Sequence, residues 1–320
     1  MGFWKIRLPW ERLRSLGIMG MNERNADFIL PYNPRRNFPL VDDKSKTKAL
    51  ALSAGIAVPN LYGIVEIEHQ IEKLPEILGP YEDFVIKPAH GSGGEGILIV
   101  VGRQNGRHRK ANGILVSTDE VGHHISNILS GMYSLGGLPD SALIEYRVKF
   151  DPMFETISYQ GVPDIRTIVF RGVPILAMMR LPTRLSDGKA NLHQGAIGVG
   201  IDLANGRTFS GVWRDTPIDQ HPDTGGKLAG LEIPYWSEIL GLTARCHDLV
   251  GLGFIGVDIV LDKDFGPLVL EINARPGLSI QLANKVGILP RLRQVERMAE
   301  IPVSIEDRVK LARHLAASNP

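Results

Sequence analysis

Apolar and polar positions along the chain recur with two different periods. The clearest helical spacing lies in YWSEILGLTARCHDLVGLG, where Ile239, Leu240, Thr243, Cys246, His247 and Val250 fall three to four residues apart. Weaker helical patterns predict helices over 45–55, with Gly55 as a stop, over 68–78, over DEVGHHISNILSGM, and twice within 285–316. β-Branched runs predict strands in DFVIKPAH, GILIVVG, ALIEYRVKF, IRTIVFRGVPILAMMRL, AIGVGIDLANGRTF, FIGVDIVLD and GPLVLEINA. FRGV and LANGR mark hairpin turns between some of them. Residues 21–44, rich in Asn, Pro and Arg, read as an extended connector, and 215–233 as a long polar loop. The order is α+β with antiparallel hairpins, without the regular β-α-β-α alternation of a doubly wound sheet.

The elements change the reading of one motif. In IKPAHGSGGEGI, Gly91, Gly93 and Gly96 match the G-x-G-x-x-G dinucleotide fingerprint. That fingerprint needs a strand before it and a helix after it, whereas ILIVV after this run is a strand. No Lys-Ser or Lys-Thr closes the run as in a P-loop. What remains is a glycine hairpin with Lys87 at its base. It is either a mobile surface turn or a cover for phosphates, whose oxygens backbone N–H groups approach closely where no side chain intervenes.

The last two predicted strands carry Asp258 in GVDIV and Glu271 and Asn273 in VLEINARPG. Residues two apart on a strand share a face, so Glu271 and Asn273 point the same way and Asp258 can meet them. Two carboxylates and an amide oxygen suit Mg²⁺ better than Zn²⁺. The competing reading is an ion pair with Arg275 or Arg166. A third group, Asp164 and Arg166 on one strand face with Arg180, Lys189, Asn191 and His193, adds the cations that phosphoryl transfer uses. The adjacent His123 and His124 cannot share a helix face, which argues against a metal pair.

Composition narrows the class. The 320 residues allow one large domain or two to three lobes, and 43% hydrophobic with 22% charged residues is ordinary for a globular protein. A net charge of +1 carries no global signature of nucleic-acid binding, so no nucleic-acid partner is expected. The single Cys246 excludes an internal disulfide or a cysteine zinc cluster and fits a cytoplasmic setting. No run of about 18 apolar residues predicts a membrane span. The segment MGFWKIRLPWERLRSLG lacks a signal-peptide core but mixes Lys5, Arg7, Arg12 and Arg14 with Trp4, Leu8, Trp10, Leu13 and Leu16. It reads as a helix packing its apolar side on the body, with docking to a partner or surface as the alternative.

Taken in order, DDKSKTKALALSAGIAVP, FVIKPAHGSGGEGI, LIEYRV, DIRTIV, ANLHQGAIG, GVDIV and LEINARPG resemble the ATP-grasp superfamily, and within it the RimK-type α-L-glutamate ligases, over roughly residues 40–300. The resemblance implies two α+β lobes with antiparallel sheets sandwiching ATP: lobe 1 over 44–146 with the glycine-rich lid, and lobe 2 over 147–300 with the metal site. It implies a reduced pre-grasp region over 1–43 and a C-terminal helix over 301–320. Lys44 and Lys87 would contact phosphates, Gly91, Ser92, Gly93, Gly94 and Gly96 would form the lid, and Glu145 and Tyr146 would hold adenine and ribose. Asp164, Lys189 and Asn191 would also bind nucleotide. Arg166 and Arg180 would steady the transferred phosphoryl, and Asp258, Glu271 and Asn273 would bind Mg²⁺, with Mn²⁺ as a substitute.

The implied activity joins a small-molecule or peptide carboxylate, glutamate or another amino acid being the first choice, to an amine through an acyl phosphate. The alternatives are a small-molecule kinase and a nucleotide-binding module without turnover. The family's NASPG is NARPG here, which makes Arg275, with His193, a candidate for substrate binding. The basic hairpin 103–110 and the loop 215–233 exceed the family pattern. The short region before the DK motif leaves room for a homo-oligomer or a peripheral partner docking through the basic N-terminal helix.

Overall fold

The structure, a computed structural model, describes residues 9–318 apart from Ser92 and Leu135. Thirteen strands form two sheets. β1 (Leu61–Val65), β2 (Phe84–Pro88), β3 (Leu98–Gln104), β4 (Arg107–Lys110), β5 (Leu115–Val116) and β6 (Ala142–Glu145) make the first, in the order β1-β6-β2-β3-β4-β5. β7 (Asp164–Phe170), β8 (Val173–Leu181), β9 (Ile197–Ile201), β10 (Thr208–Trp213), β11 (Thr216–Ile218), β12 (Phe254–Asp262) and β13 (Gly266–Asn273) make the second, in the order β11-β10-β9-β8-β7-β12-β13. Every pairing is antiparallel, as the hairpin signals predicted.

The first sheet packs Phe84, Ile86, Val100 and Ile144 against helix Thr118–Leu129, whose Val121, Ile125 and Ile128 form one buried stripe. Ser117 and Glu120 begin that helix with a capping box. The second sheet is covered on both faces. Ile165, Val169, Val257 and Ile259 point toward helix Trp236–Val250, while Ile168, Phe170 and Phe254 point to the opposite face. Because side chains alternate along a strand, Asp164, Arg166 and Asp258 fall on the same face as Ile168, Phe170 and Phe254. Helix Lys44–Ser53, capped by the Asp43 carboxylate on the N–H groups of Ser45 and Lys46, sends Ala51 into the core of the second sheet.

Residues 21–44 are not an extended connector. Three consecutive helical stretches, Met21–Glu23, Arg24–Ile29 and Leu30–Tyr32, run on from one another, the middle one in π-helical geometry. A 3₁₀ turn, Arg35–Asn37, and a short helix, Pro39–Asp42, follow. Pro39 opens its helix, where no N–H is needed, Pro34 precedes the 3₁₀ turn as its cap residue, and Pro31 follows the π-helical stretch inside the run. Phe28, fully buried, meets Phe170 edge-on at 5.4 Å; burying a side chain of that size contributes roughly 2–3 kcal/mol. Asp27 pairs with Arg293, Tyr32 donates its hydroxyl to Glu296 at 3.1 Å, and Gln281 accepts from the Met19 N–H at 2.8 Å.

Two other expectations change. The loop 215–233 begins as a hairpin, because β11 pairs with β10 through a turn at Arg214 and Asp215, both at positive φ. The N-terminal helix is described from Pro9 to Ser15, and Trp4, Lys5, Arg7 and Leu8 lie outside the described residues. Its Leu13 is 50% exposed, and Leu16 beyond its end 58%, so these two leucines do not pack on the body; the tether is instead the Leu289 N–H donating to the Gly17 carbonyl. Among the described residues no helix is long and apolar enough to cross a membrane.

Candidate active site

Strand register builds the centre of the site. Asp258 sits opposite Arg166 on one side and Glu271 on the other, and Asp164 sits opposite Arg180. The Arg166 guanidinium grips both oxygens of Asp258, with Nη2–Oδ2 at 2.5 Å. Arg180 grips both oxygens of Asp164 at 2.6 and 2.5 Å and reaches Asp258 Oδ2 at 2.8 Å. Two guanidiniums thus share two buried carboxylates, the bidentate geometry that planar Arg favours. Nη1 of each arginine has no partner among the described residues.

Burial alone would raise Asp258, but Arg166 and Arg180 outweigh it and hold the carboxyl below its ordinary value. Asp164 is pushed up to about 6, mainly by burial and partly by the nearby Asp258 charge, against the pull of Arg180. The ion-pair reading of Asp258 is therefore realised with Arg166 and not with Arg275. The Arg180–Asp164 pair was not foreseen, since it depends on register across a hairpin.

Glu271 stays a third exposed, with Oε1 3.5 Å from the Lys44 ammonium. Asn273 brings its amide within 3.5 Å of Asp258 Oδ2. This donor set fits a hard divalent cation: two carboxylates and an amide converge on one face. Asp258 Oδ2 accepts from both guanidiniums, whereas Oδ1 accepts from Arg166 alone and keeps a lone pair for a cation. Among the described residues no group of three or more His, Cys, Asp or Glu side chains is arranged for a metal, so the triple depends on the Asn273 amide.

Lys44 Nζ also donates to the Gly91 carbonyl at 2.5 Å, joining the lid base to the strand of Glu271. The lid joins two antiparallel strands, β2 and β3, as the sequence implied. Gly93 accepts from Gln194 Nε2 at 3.2 Å, and Glu95 lies 3.5 Å from Lys189 Nζ. His124 Nε2 hydrogen-bonds the Gly96 carbonyl at 2.9 Å, a lid role the sequence did not suggest. Gly96 is at φ +71°, and a Cβ there would meet the Tyr133 ring at 2.5 Å. Gly94 rests over the Lys189 stem, and Ser92 lies outside the described residues. Asn191 accepts from the His193 N–H at 3.0 Å, starting the turn that carries Gln194.

Glu145 does not face an open cleft. It is buried at the end of β6 with Lys48 on one oxygen and Lys87 on the other. Lys48 also donates to the Pro59 carbonyl at 2.6 Å, and burial pulls its ammonium down to about 8, with Lys87 adding to the fall and Glu145 opposing it. Lys48 escaped sequence analysis, though its position one turn after Lys44 puts both on one helix face. Tyr146 packs edge-on against Phe265 at 5.3 Å, and its N–H donates to the Asn60 carbonyl at 2.8 Å.

Two cavities flank the loop after β13. One, of about 670 Å³, is lined by His193, Gln194, Arg214, Asp215 and Ser279. The other, of about 850 Å³, is lined by Arg24, Arg35, Phe38, Asp42 and Arg275.

A probable alpha-L-glutamate ligase of Maridesulfovibrio salexigens is 25% identical over 236 residues, 74% of this chain and 56% of that protein. The chain therefore spans a little over half of the curated relative it matches. Among solved structures, the RimK domain ATP-grasp protein of Sphaerobacter thermophilus covers 82% of this chain and 70% of its own, at 14% identity and a TM-score of 0.46. The D-alanine–D-alanine ligase of Bacillus anthracis complexed with ATP covers 88% and 66%, at 14% identity and a TM-score of 0.43. The sugar-transfer associated ATP-grasp family matches residues 23–297, most of the chain and both sheets, and the protein belongs to that family.

Proposed function

We propose that the protein is an ATP- and Mg²⁺-dependent ligase that joins a carboxylate to an amine. The observation that carries this reading is the paired Arg166–Asp258 and Arg180–Asp164 cluster, set beside Glu271 and Asn273 and linked to the glycine lid through Lys44. Asp258, Glu271 and Asn273 would hold Mg²⁺, which would supply charge neutralisation at the phosphates.

A carboxylate oxygen of the substrate attacks the γ-phosphorus, the bond to the β-phosphate oxygen breaks, and ADP leaves. The amine nitrogen then attacks the acyl carbon, phosphate departs with the C–O bonding electrons, and the ammonium proton is lost to solvent. The unpartnered Nη1 groups of Arg166 and Arg180 are the donors for the charge that builds on both transition states. Lys44 and Lys189 attract phosphate oxygens, while the lid of Gly91, Gly93, Gly94 and Gly96 excludes water from an acyl phosphate that would otherwise hydrolyse. Glu145 acts indirectly, by fixing Lys87, and the chain at Tyr146 is the hinge for adenine. His193 and Arg275 line the two cavities and are assigned to substrate. The curated relative supports the glutamate-ligase type of chemistry.

The test is ADP release from purified protein over paired carboxylates and amines, with product mass measured. Release that requires both partners supports ligation. Release with an alcohol and no amine would move the protein to the kinase reading.

A further inference from the structure

The larger cavity has a composition that ligation does not require. Its wall carries three guanidiniums, Arg24, Arg35 and Arg275, against one carboxylate, Asp42. Arg24 and Arg275 are close enough to repel each other, an arrangement that costs free energy until an anion lies between them. Neither is neutralised by a carboxylate among the described residues. Arg24 donates Nη1 to the Pro276 carbonyl at 2.8 Å and shares Asn25 Oδ1, while Arg275 lies over the Phe38 ring at 4.5 Å with no hydrogen-bond partner among the described residues.

The wall is built rather than casual. Arg24, Asn25 and Ile29 all come from the π-helical stretch, a geometry that concentrates at functional sites. Asn33, which also lines the cavity, bonds Phe254 at 2.7 and 2.8 Å and the Ala274 carbonyl at 3.0 Å, fixing the wall to β12 and β13. The cavity also adjoins the reacting centre on two sides. Asp42 is two residues before Lys44, and Arg275 two residues after Asn273. Pro276 lies against Gly256, where a Cβ would meet it at 2.6 Å and Arg166 Cδ at 3.4 Å.

We infer that this cavity selects an acid with a second carboxylate, which Arg24 and Arg275 grip while the first is presented to Arg166 and Arg180. The assignment rests on the ligase reading for the fate of the first carboxylate, but binding of the second requires no turnover. The substrate class is then a dicarboxylic acid, and the Arg in NARPG is its specificity determinant.

Succinate, glutarate, adipate and butyrate, each at millimolar concentration, are tested for their effect on melting temperature and then by calorimetry, with and without ADP. The expected result is that at least one diacid binds and butyrate does not, that Arg275→Gln weakens the diacid about tenfold or more while Arg275→Lys recovers part of it, and that ADP and the diacid bind together. Arg275 is exposed and its one contact of note is the Phe38 ring, so its variants fold with at most a small fall in the unliganded melting temperature, which is measured alongside; Arg24→Gln, which loses the Pro276 tie, is the secondary variant. Equal binding of butyrate, no binding of any diacid, unchanged affinity in Arg275→Gln, or competition by ADP each overturns the inference. Diacid binding without ADP release under any amine would remove the ligase reading and leave the cavity assignment standing; turnover of monocarboxylates alone would do the reverse.

Discussion

Lys48 directs its ammonium at Oε2 of Glu145, the same carboxylate whose Oε1 holds Lys87. Two buried cations therefore depend on one buried anion, and the pair carries a consequence for pH. The folded-state value of Lys48 is about 8, below the ordinary lysine value of 10.5. Below about pH 8 both folded and unfolded chains carry the proton, and the cost of burying it is fully present. Between about 8 and 10.5 the unfolded chain holds more protons than the folded one, so this contribution raises stability as pH rises. The expected gain by pH 10 is on the order of 2–3 kcal/mol. Urea unfolding of wild type and Lys48→Met from pH 7 to 10 measures it: the difference between the two should change through this window, and a constant difference contradicts the assignment.

Replacing Glu145 removes the carboxylate that the two lysines share. Glu145→Gln leaves two buried ammoniums without a counter-charge, a loss of about 3–5 kcal/mol by analogy with broken buried pairs. The double variant Glu145→Gln with Lys48→Met should recover part of the loss, because one of the two stranded charges is gone. Unfolding midpoints decide it, and additivity of the two substitutions would show that the residues do not act as a unit.

Asp258→Asn removes one of the proposed metal donors and loosens Arg166 and Arg180 together. Nucleotide affinity in the presence of Mg²⁺ is expected to fall tenfold or more, about 1.4 kcal/mol, with a smaller change in chelator. Asn273→Ala, which leaves both guanidinium pairs in place, should move the Mg²⁺-dependent component in the same direction. Fluorescent-nucleotide titration with and without Mg²⁺ measures both, and identical Mg²⁺ dependence in wild type and the two variants would falsify the donor set.

Gly96→Ala introduces a Cβ into the Tyr133 ring and forces a left-handed backbone on a residue that disfavours it. The backbone part costs about 1–2 kcal/mol, and the clash adds to it. Tyr133→Ala in the same chain should relieve the steric part and leave the backbone part. If Gly96→Ala costs as much stability in a Tyr133→Ala background as in the wild type, the close approach to Tyr133 is not what requires glycine there.

The strand and hairpin pattern was legible because β-branched runs, two-residue periodicity and turn residues agreed in β7, β8, β12 and β13. The glycine run was placed correctly between two antiparallel strands from its neighbours alone, since a strand on each side excludes a helix start. The helices over 21–32 and 39–42 were not legible. Pro39 opens its helix and Pro31 lies inside the run 21–32, positions that sequence cannot distinguish from breakers, and Phe28 finds its partners Phe170 and Phe254 only through the tertiary fold. The hairpin turn at Arg214 and Asp215 carries no glycine to announce it. In the site, faces of single strands were predictable, whereas the arginine–carboxylate pairs depend on register between strands, which periodicity does not fix. Lys48 and Arg24 were missed for the related reason that each is defined by what the chain folds against it.

Asn33 completes, with a side chain, the hydrogen-bond pattern that the ends of β12 and β13 would otherwise leave open. It donates to both Phe254 and Ala274 and accepts from Phe254, so it stands in for a peptide group beyond the last strand pair, Gly256 with Asn273. The π-helical wall and the strand end bearing Asn273 are consequently one mechanical body. A shift of this wall is therefore constrained to carry the ends of β12 and β13 with it, through Asn33 and through Arg24 on the Pro276 carbonyl.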